Sequence, residues 1–90
     1  LLRGRIVHAD YPREAVMARA GGTVIARLDV DSEGRVAGCA ITRSSGHDAL
    51  DETTCRLIRR RFRFEPARDR QGRPVASVTG WQQRWWLQAD

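Results

Sequence analysis

Two runs of alternating residues, separated by a four-residue turn, constrain this chain more than any other feature. Across residues 23–30, Val24, Ala26, Leu28 and Val30 fall on one face, with Thr23, Arg27 and Asp29 on the other and Ile25 as the apolar exception. Side chains alternate along a strand, so the pattern predicts a strand with one buried face. Asp31, Ser32, Glu33 and Gly34 supply the turn, Gly34 being free to take a positive φ. A second run covers residues 35–43, with Ala37, Cys39 and Ile41 on one side. Together they read as an antiparallel hairpin whose apolar side needs a cover.

The cover is the next segment. After Ser44, Ser45 and Gly46 break the hairpin, Leu50, Leu57, Ile58 and Phe62 recur at helical spacing. Ser45 with Asp48, or Asp48 with Asp51, is expected to set an oxygen acceptor against the first-turn N–H groups. Arg59, Arg60 and Arg61, with Arg63 beyond, gather where cations complement the helix dipole. Pro66 cannot continue a helix and drives Glu65 out of the α region, which places the helix end at Phe64, Glu65 and Pro66. A polar loop over residues 67–73 turns at Gly72. A last strand follows over residues 75–87, where Gly80 predicts a bulge or bend. Ahead of the hairpin, Tyr11 and Pro12 open a short helix over residues 13–20, stopped by Gly21 and Gly22. The long helix joins strands two and three, and that crossover lays it across one face of the sheet. The predicted fold is a two-layer α+β domain: a three-stranded antiparallel or mixed sheet, one long helix packed on a face, and a short N-terminal helix.

Ninety residues make one small domain with a thin core. No apolar run approaches the roughly 20 residues that cross a bilayer. Leu1-Leu2-Arg3-Gly4-Arg5 is too short and too charged for a signal peptide. The net charge is +5 and all sixteen cations are arginine. Such an excess favours acidic partners, nucleic acid or an anionic membrane surface, although the absence of lysine reads more simply as a genomic bias. Two cysteines, Cys39 and Cys55, without a Cys-x-x-Cys, suit either one disulfide in an oxidising compartment or two buried thiols. A metal site from Cys39, Cys55, His8 and His47 lacks the close ligand spacing of zinc sites, and Cys55 with His47 lacks the surroundings of a nucleophile pair. No cofactor, metal or catalytic residue is expected, and Asp29, Asp31 and Glu33 read as solvated turn residues.

Seven short segments stand in order along the chain: Tyr11-Pro12-Arg13-Glu14-Ala15, Gly22-Thr23-Val24, Val30-Asp31-Ser32-Glu33-Gly34-Arg35-Val36, Ser44-Ser45-Gly46, Leu50-Asp51, Arg61-Phe62-Arg63-Phe64-Glu65-Pro66-Ala67 and Gly72-Arg73-Pro74-Val75. In this order and spacing the sequence resembles the C-terminal domain of TonB energy transducers, over about residues 11–87. The resemblance divides the chain into residues 1–10, the end of a periplasmic spacer, and residues 11–90, the domain itself. It implies a periplasmic domain of an inner-membrane-anchored protein in a Gram-negative bacterium, with no enzymatic activity. Such domains pair with a short extended segment, the TonB box, of outer-membrane transporters, including those for siderophore iron. Force from an ExbB–ExbD-type motor reaches them through an N-terminal part that this sequence does not contain. A periplasmic address also favours a disulfide between Cys39 and Cys55, a pair that most TonB-like domains lack.

Capture of an extended peptide is strand addition and needs a free sheet edge. If the last strand flanks the first, Val78, Thr79, Gly80, Trp81, Gln82, Gln83 and Arg84 form that edge. Trp85 and Trp86 are adjacent and point to opposite sides of a strand, one toward the core and one outward. A second contact region in such domains precedes the first helix, here His8, Ala9, Asp10, Tyr11 and Pro12. The Gln-Pro that often precedes Tyr-Pro is absent from this sequence. Long edge strands also invite a strand-exchanged homodimer. A related reading is an accessory module in envelope signalling. A reading of another class sets Arg59, Arg60, Arg61 and Arg63 against phosphates, with Trp81, Trp85 or Trp86 stacking on bases. The arginines cluster at one helix end and lie far in sequence from the tryptophans, so no nucleic acid is expected.

Overall fold

The strand β1 (Gly22–Val30) is the centre of the molecule, paired antiparallel with β2 (Val36–Arg43) on one side. On the other side it pairs antiparallel with the last strand, β5 (Ser77–Trp85), giving the sheet order β2-β1-β5. The structure is a computed structural model and describes residues 1–87; the end of the expected domain, residues 88–90, lies outside them. Between the two halves of the sheet come α2 (Asp48–Arg61) and a small hairpin of β3 (Ala67–Arg68) with β4 (Pro74–Val75). The helix α1 (Arg13–Met17) and a 3-10 turn at His8–Asp10 precede the sheet. This is the α+β architecture that the alternation and the helical stripe predict.

The buried face is the one the alternation marks. Val24, Ala26, Leu28 and Val30 are all at most 3% exposed, and Leu50, Ile58 and Phe62 of the helical stripe are at 0%. Two clusters form beneath α2. One gathers Ala15, Ala20, Val24, Leu50 and Trp85; the other gathers Ala26, Leu28, Val36, Ile58 and Phe62. Phe62 meets Trp81 edge-on with ring centroids 4.6 Å apart. A disulfide joins Cys39 to Cys55 with Cα atoms 5.6 Å apart, tying β2 to α2.

Several local expectations are corrected. Cys39 pairs with Leu28 and Ile41 with Ala26, but Val30 pairs with Val36, so the extra residue Ala37 is bulged out and exposed. A bulge resets the alternation, and Val36 takes the inward place expected of Ala37. Gly80 makes no bulge: the ladder from Gly22↔Trp85 to Val30↔Ser77 runs without a shift. Glycine permits a bend but does not impose one, and the unbroken pairing with β1 holds β5 in register.

Helix ends differ too. Neither expected capping pair forms at α2, whose N-cap is His47 with no side-chain cap. Instead the buried Asp51 carboxylate reaches back to accept the Ser45 N–H at 2.9 Å and the Ser44 and Ser45 hydroxyls. Phe62 leaves helical geometry (φ −81, ψ 137), ending α2 before Pro66 takes effect. The cause is backbone pairing beyond it: Arg63 bridges both Arg3 and Arg35, and the Phe64 N–H donates to the Gly34 carbonyl at 2.8 Å. The stop of α1 is not the glycine pair but Arg19, at φ 52. Arg19 N–H donates to Val16 O at 3.0 Å and Ala20 N–H to Ala15 O at 2.8 Å, a Schellman ending with arginine where glycine is usual.

Candidate functional site

The sheet has two edges, and they are not equivalent. At its start β2 is flanked by the Arg35–Arg63 bridge, and farther along it carries two register shifts. Covering and bulging are the usual ways of blunting an edge. By contrast β5 is nine residues long, regular in its pairing with β1, and without a second neighbour among the described residues. In an antiparallel ladder alternate residues turn their N–H and C=O groups away from the paired strand, so this edge presents a row of free backbone donors and acceptors. All seven edge residues read from the sequence lie on β5. Thr79, Trp81 and Gln83 are half-buried on the α2 face, while Val78, Gly80, Gln82 and Arg84 are exposed on the other.

The structure joins that edge to the segment before α1. Ile6, Val7, His8 and Tyr11 line one small pocket together with Gln83, Arg84, Trp85 and Trp86. Thus His8 and Tyr11, more than seventy residues from Gln83 and Arg84 in the sequence, meet them at the C-terminal end of β5. The pocket floor is hydrogen-bonded into the core. The Tyr11 hydroxyl donates to the Ala20 carbonyl, and its ring meets Trp85 at 5.1 Å and 83°. Burial pushes the Tyr11 phenol upward. Trp85, at 4% exposed, donates its indole N–H to the Thr54 hydroxyl at 2.9 Å, and Thr54 donates in turn to the Leu50 carbonyl at 2.7 Å. Trp86, at 58% exposed, is the outward member of the pair. Farther along the edge, Trp81 Nε1 donates to Gln83 Oε1 at 3.2 Å.

Asp10 is not part of this pocket. Its carboxylate accepts both guanidinium N–H groups of Arg61, at 2.6 and 2.8 Å, and the Val7 N–H at 2.8 Å. The Arg61 hydrogen bond holds the Asp10 carboxyl below its ordinary range. Asp10 therefore fastens the 3-10 turn to the end of α2 and presents Val7 and His8 to β5. Sequence reasoning missed Ile6, Val7 and the Arg61 clamp, because pairing between groups 51 residues apart leaves no local pattern. The arrangement of arginines against three tryptophans does not assemble: Trp85 is buried, Trp81 packs on Phe62, and Arg61 is engaged by Asp10.

What this site offers is a hydrogen-bonding edge ending in a shallow aromatic and polar pocket. Both cysteines are committed to the disulfide. Among the described residues no group of three or more His, Cys, Asp or Glu stands where it could hold a metal ion, and no helix is long and apolar enough to cross a membrane. Compared with known families, residues 7–83 match the one described as "Gram-negative bacterial TonB protein C-terminal". No curated protein sequence matches the chain.

Proposed function

The chain belongs to the TonB C-terminal domain family of Gram-negative bacteria, a family of periplasmic protein-interaction domains, and from that membership we propose that the free edge of β5 captures the TonB box of outer-membrane transporters by strand addition. The observation that carries this reading is the regular, unflanked β5 edge running into the pocket of His8, Tyr11, Gln83 and Arg84. An extended peptide laid along β5 would satisfy the outward backbone groups, which supplies affinity without regard to side chains. The pocket at the Trp85 end would then read one or two peptide residues. Coupling to the inner-membrane proton gradient follows if an ExbB–ExbD-type motor pulls through an anchored segment ahead of residues 1–10, which serve as the end of its spacer. The work done is mechanical and no substrate bond is broken.

The same edge can accept the β5 of a second copy, so a strand-exchanged homodimer would compete with the peptide. The test is titration of the domain with synthetic TonB-box peptides, followed by backbone amide NMR. Shifts confined to Val78, Thr79, Gly80, Trp81, Gln82, Gln83 and Arg84, with His8 and Tyr11, are the expected result. Millimolar peptide without shifts at these residues overturns transporter coupling. Sedimentation at increasing protein concentration separates the dimer from peptide capture.

A further inference from the structure

The face of the sheet opposite α2 has no second layer among the described residues, and its chemistry is uneven. Its middle mixes small and larger residues: Ala40 and Gly80 flank Arg27, Gly38 and the exposed Val78 flank Asp29, and Gln82 stands beside Ile25. Its ends are arginine. Arg43 and Arg84 lie on the outer face at one end, paired with Ile25 and Thr23. At the other end the bridges Arg3↔Arg63 and Arg35↔Arg63 put three arginines in one row. Bridged residues on neighbouring strands share a face, and Arg63 points opposite to Phe62 and Phe64, which pack into the core.

Six of the sixteen arginines therefore share this face with Asp29, Asp31 and Glu33, three of the eleven acids. The acids serve only two of the six. Arg27 reaches Asp29 at 4.0 Å, and Arg35 pairs with Asp31 at 3.6 Å and with Glu33. Among the described residues Arg3, Arg43, Arg63 and Arg84 make no ion pair; the Arg63 guanidinium donates to the adjacent Phe62 carbonyl, at 2.8 Å. Like charges placed directly across strands oppose pairing, so the row Arg3–Arg63–Arg35 is a cost to the isolated fold that a bound anion would remove. Two depressions lie at the ends of the face. Arg3, Arg35 and Arg63 line one with Glu33; Arg43 lines the other with Thr23, Ser44, Ser45 and Gln82. Beside the second, the Asp51 carboxylate is taken up by Ser44 and Ser45.

We propose that this open face docks on an anionic lipid surface, the arginines at its two ends meeting headgroup phosphates. A bound peptide requires a groove or a free edge, whereas cations spread to both ends of an open sheet face match an extended surface of charge. Arginine suits phosphate through its planar, bidentate fork, and attraction to anionic lipid acts within a Debye length of the surface. This docking uses the sheet face and leaves the backbone edge of β5 free.

The test is co-sedimentation of the domain with phosphatidylcholine vesicles, with and without phosphatidylglycerol. Binding is expected only with phosphatidylglycerol and is lost as salt rises from about 50 to about 500 mM. The triple substitution Arg3→Gln, Arg43→Gln, Arg63→Gln is expected to weaken partitioning at least tenfold, on the order of 1.4 kcal/mol. Loss of the same charge from α2, by Arg56→Gln, Arg59→Gln and Arg60→Gln, is expected to change it less than about twofold. Arg27→Gln with Arg43→Gln, both exposed on strands, gives a second face variant that leaves the Arg63 bridges alone, and circular dichroism verifies folding. Equal losses from the two triple variants would reduce the effect to net charge and overturn the proposal. So would failure to bind phosphatidylglycerol vesicles, including the case in which polyglutamate binds the face and vesicles do not, which would point to an acidic protein partner.

Discussion

Thr54 is the residue through which the floor of the candidate pocket is wired into the core, and Thr54→Val isolates that wiring. The side chain is fully buried, accepts the Trp85 indole N–H at 2.9 Å and donates to the Leu50 carbonyl at 2.7 Å. Valine has nearly the same shape and a similar helix propensity, so neither a cavity nor a change in helix preference contributes. The Leu50 carbonyl belongs to the helix and keeps its backbone partner. What remains is a buried indole N–H without an acceptor, which costs about 1–3 kcal/mol; the added methyl group offsets part of this, leaving about 1–2. For a domain of this size that is a fall in Tm of roughly 5–15 °C. The assay is a double-mutant cycle with Trp85→Phe, read by far-UV circular dichroism in urea. Phenylalanine has no N–H to orphan, so Thr54→Val on that background is expected to cost under about 0.5 kcal/mol. Equal costs on both backgrounds would show that the indole–hydroxyl bond contributes nothing and would refute the reasoning.

Three further outcomes are expected. Removing the disulfide by Cys39→Ala with Cys55→Ala releases a loop spanning 16 residues; the lost constraint on the unfolded chain lowers stability by roughly 3 kcal/mol in urea melts. Asp10 and Asp51 both titrate below the ordinary range. At Asp10 the chief cause is the Arg61 hydrogen bond; at Asp51 burial acts upward but is outweighed by hydrogen bonds from Ser44 and Ser45 and by His47. A pKa depressed in the folded state gives stability that is present above the unfolded value, near 4, and lost as pH falls through the folded one. Urea midpoints should therefore drop below about pH 4, and Arg61→Gln should raise the Asp10 pKa measured by NMR. Arg19→Gly relieves a left-handed residue at the end of α1 and is expected to raise stability by about 0.5–1 kcal/mol, the αL cost less the entropy of glycine.

The parts legible in the sequence are those where one periodicity governs a whole element. Val24, Ala26, Leu28 and Val30 could be assigned a face because nothing interrupts β1, and Leu50, Leu57 and Ile58 because α2 is one continuous helix. Legibility failed where a tertiary partner overrides the local pattern. Ala37 changed sides because a bulge adds one residue to β2 opposite Asp29 and Val30. Phe62 left the helix because Arg63 pairs with two distant segments. Nothing near Asp51 in sequence announces that its carboxylate turns back to Ser44 and Ser45 rather than capping the first turn. For the candidate site, the edge residues followed from strand order alone. The pocket needed Ile6 and Val7, which carry no pattern of their own; Ile6 packs on both core clusters, and the Asp10–Arg61 pair helps hold the chain beside Gln83 and Arg84.

The attachments of the N-terminal segment also set how the domain would yield under tension. Leu2 and Arg3 hydrogen-bond to Arg63, Arg61 donates to the Arg5 carbonyl at 3.3 Å, and Asp10 is clamped by Arg61, so residues 1–10 are pinned at several places near the end of α2. A pull on Leu1 loads the Arg63 bonds first; next come the Arg61 contacts with the Arg5 carbonyl and Asp10, together with the packing of Ile6 on both core clusters. Through Ile6 the load is shared with the layer beneath α2, which the Cys39–Cys55 bond reinforces. Ten residues drawn straight span about 35 Å. The segment would thus yield in steps and release the excess of that span over its folded length, before load reached the β5 edge proposed to hold a transporter segment.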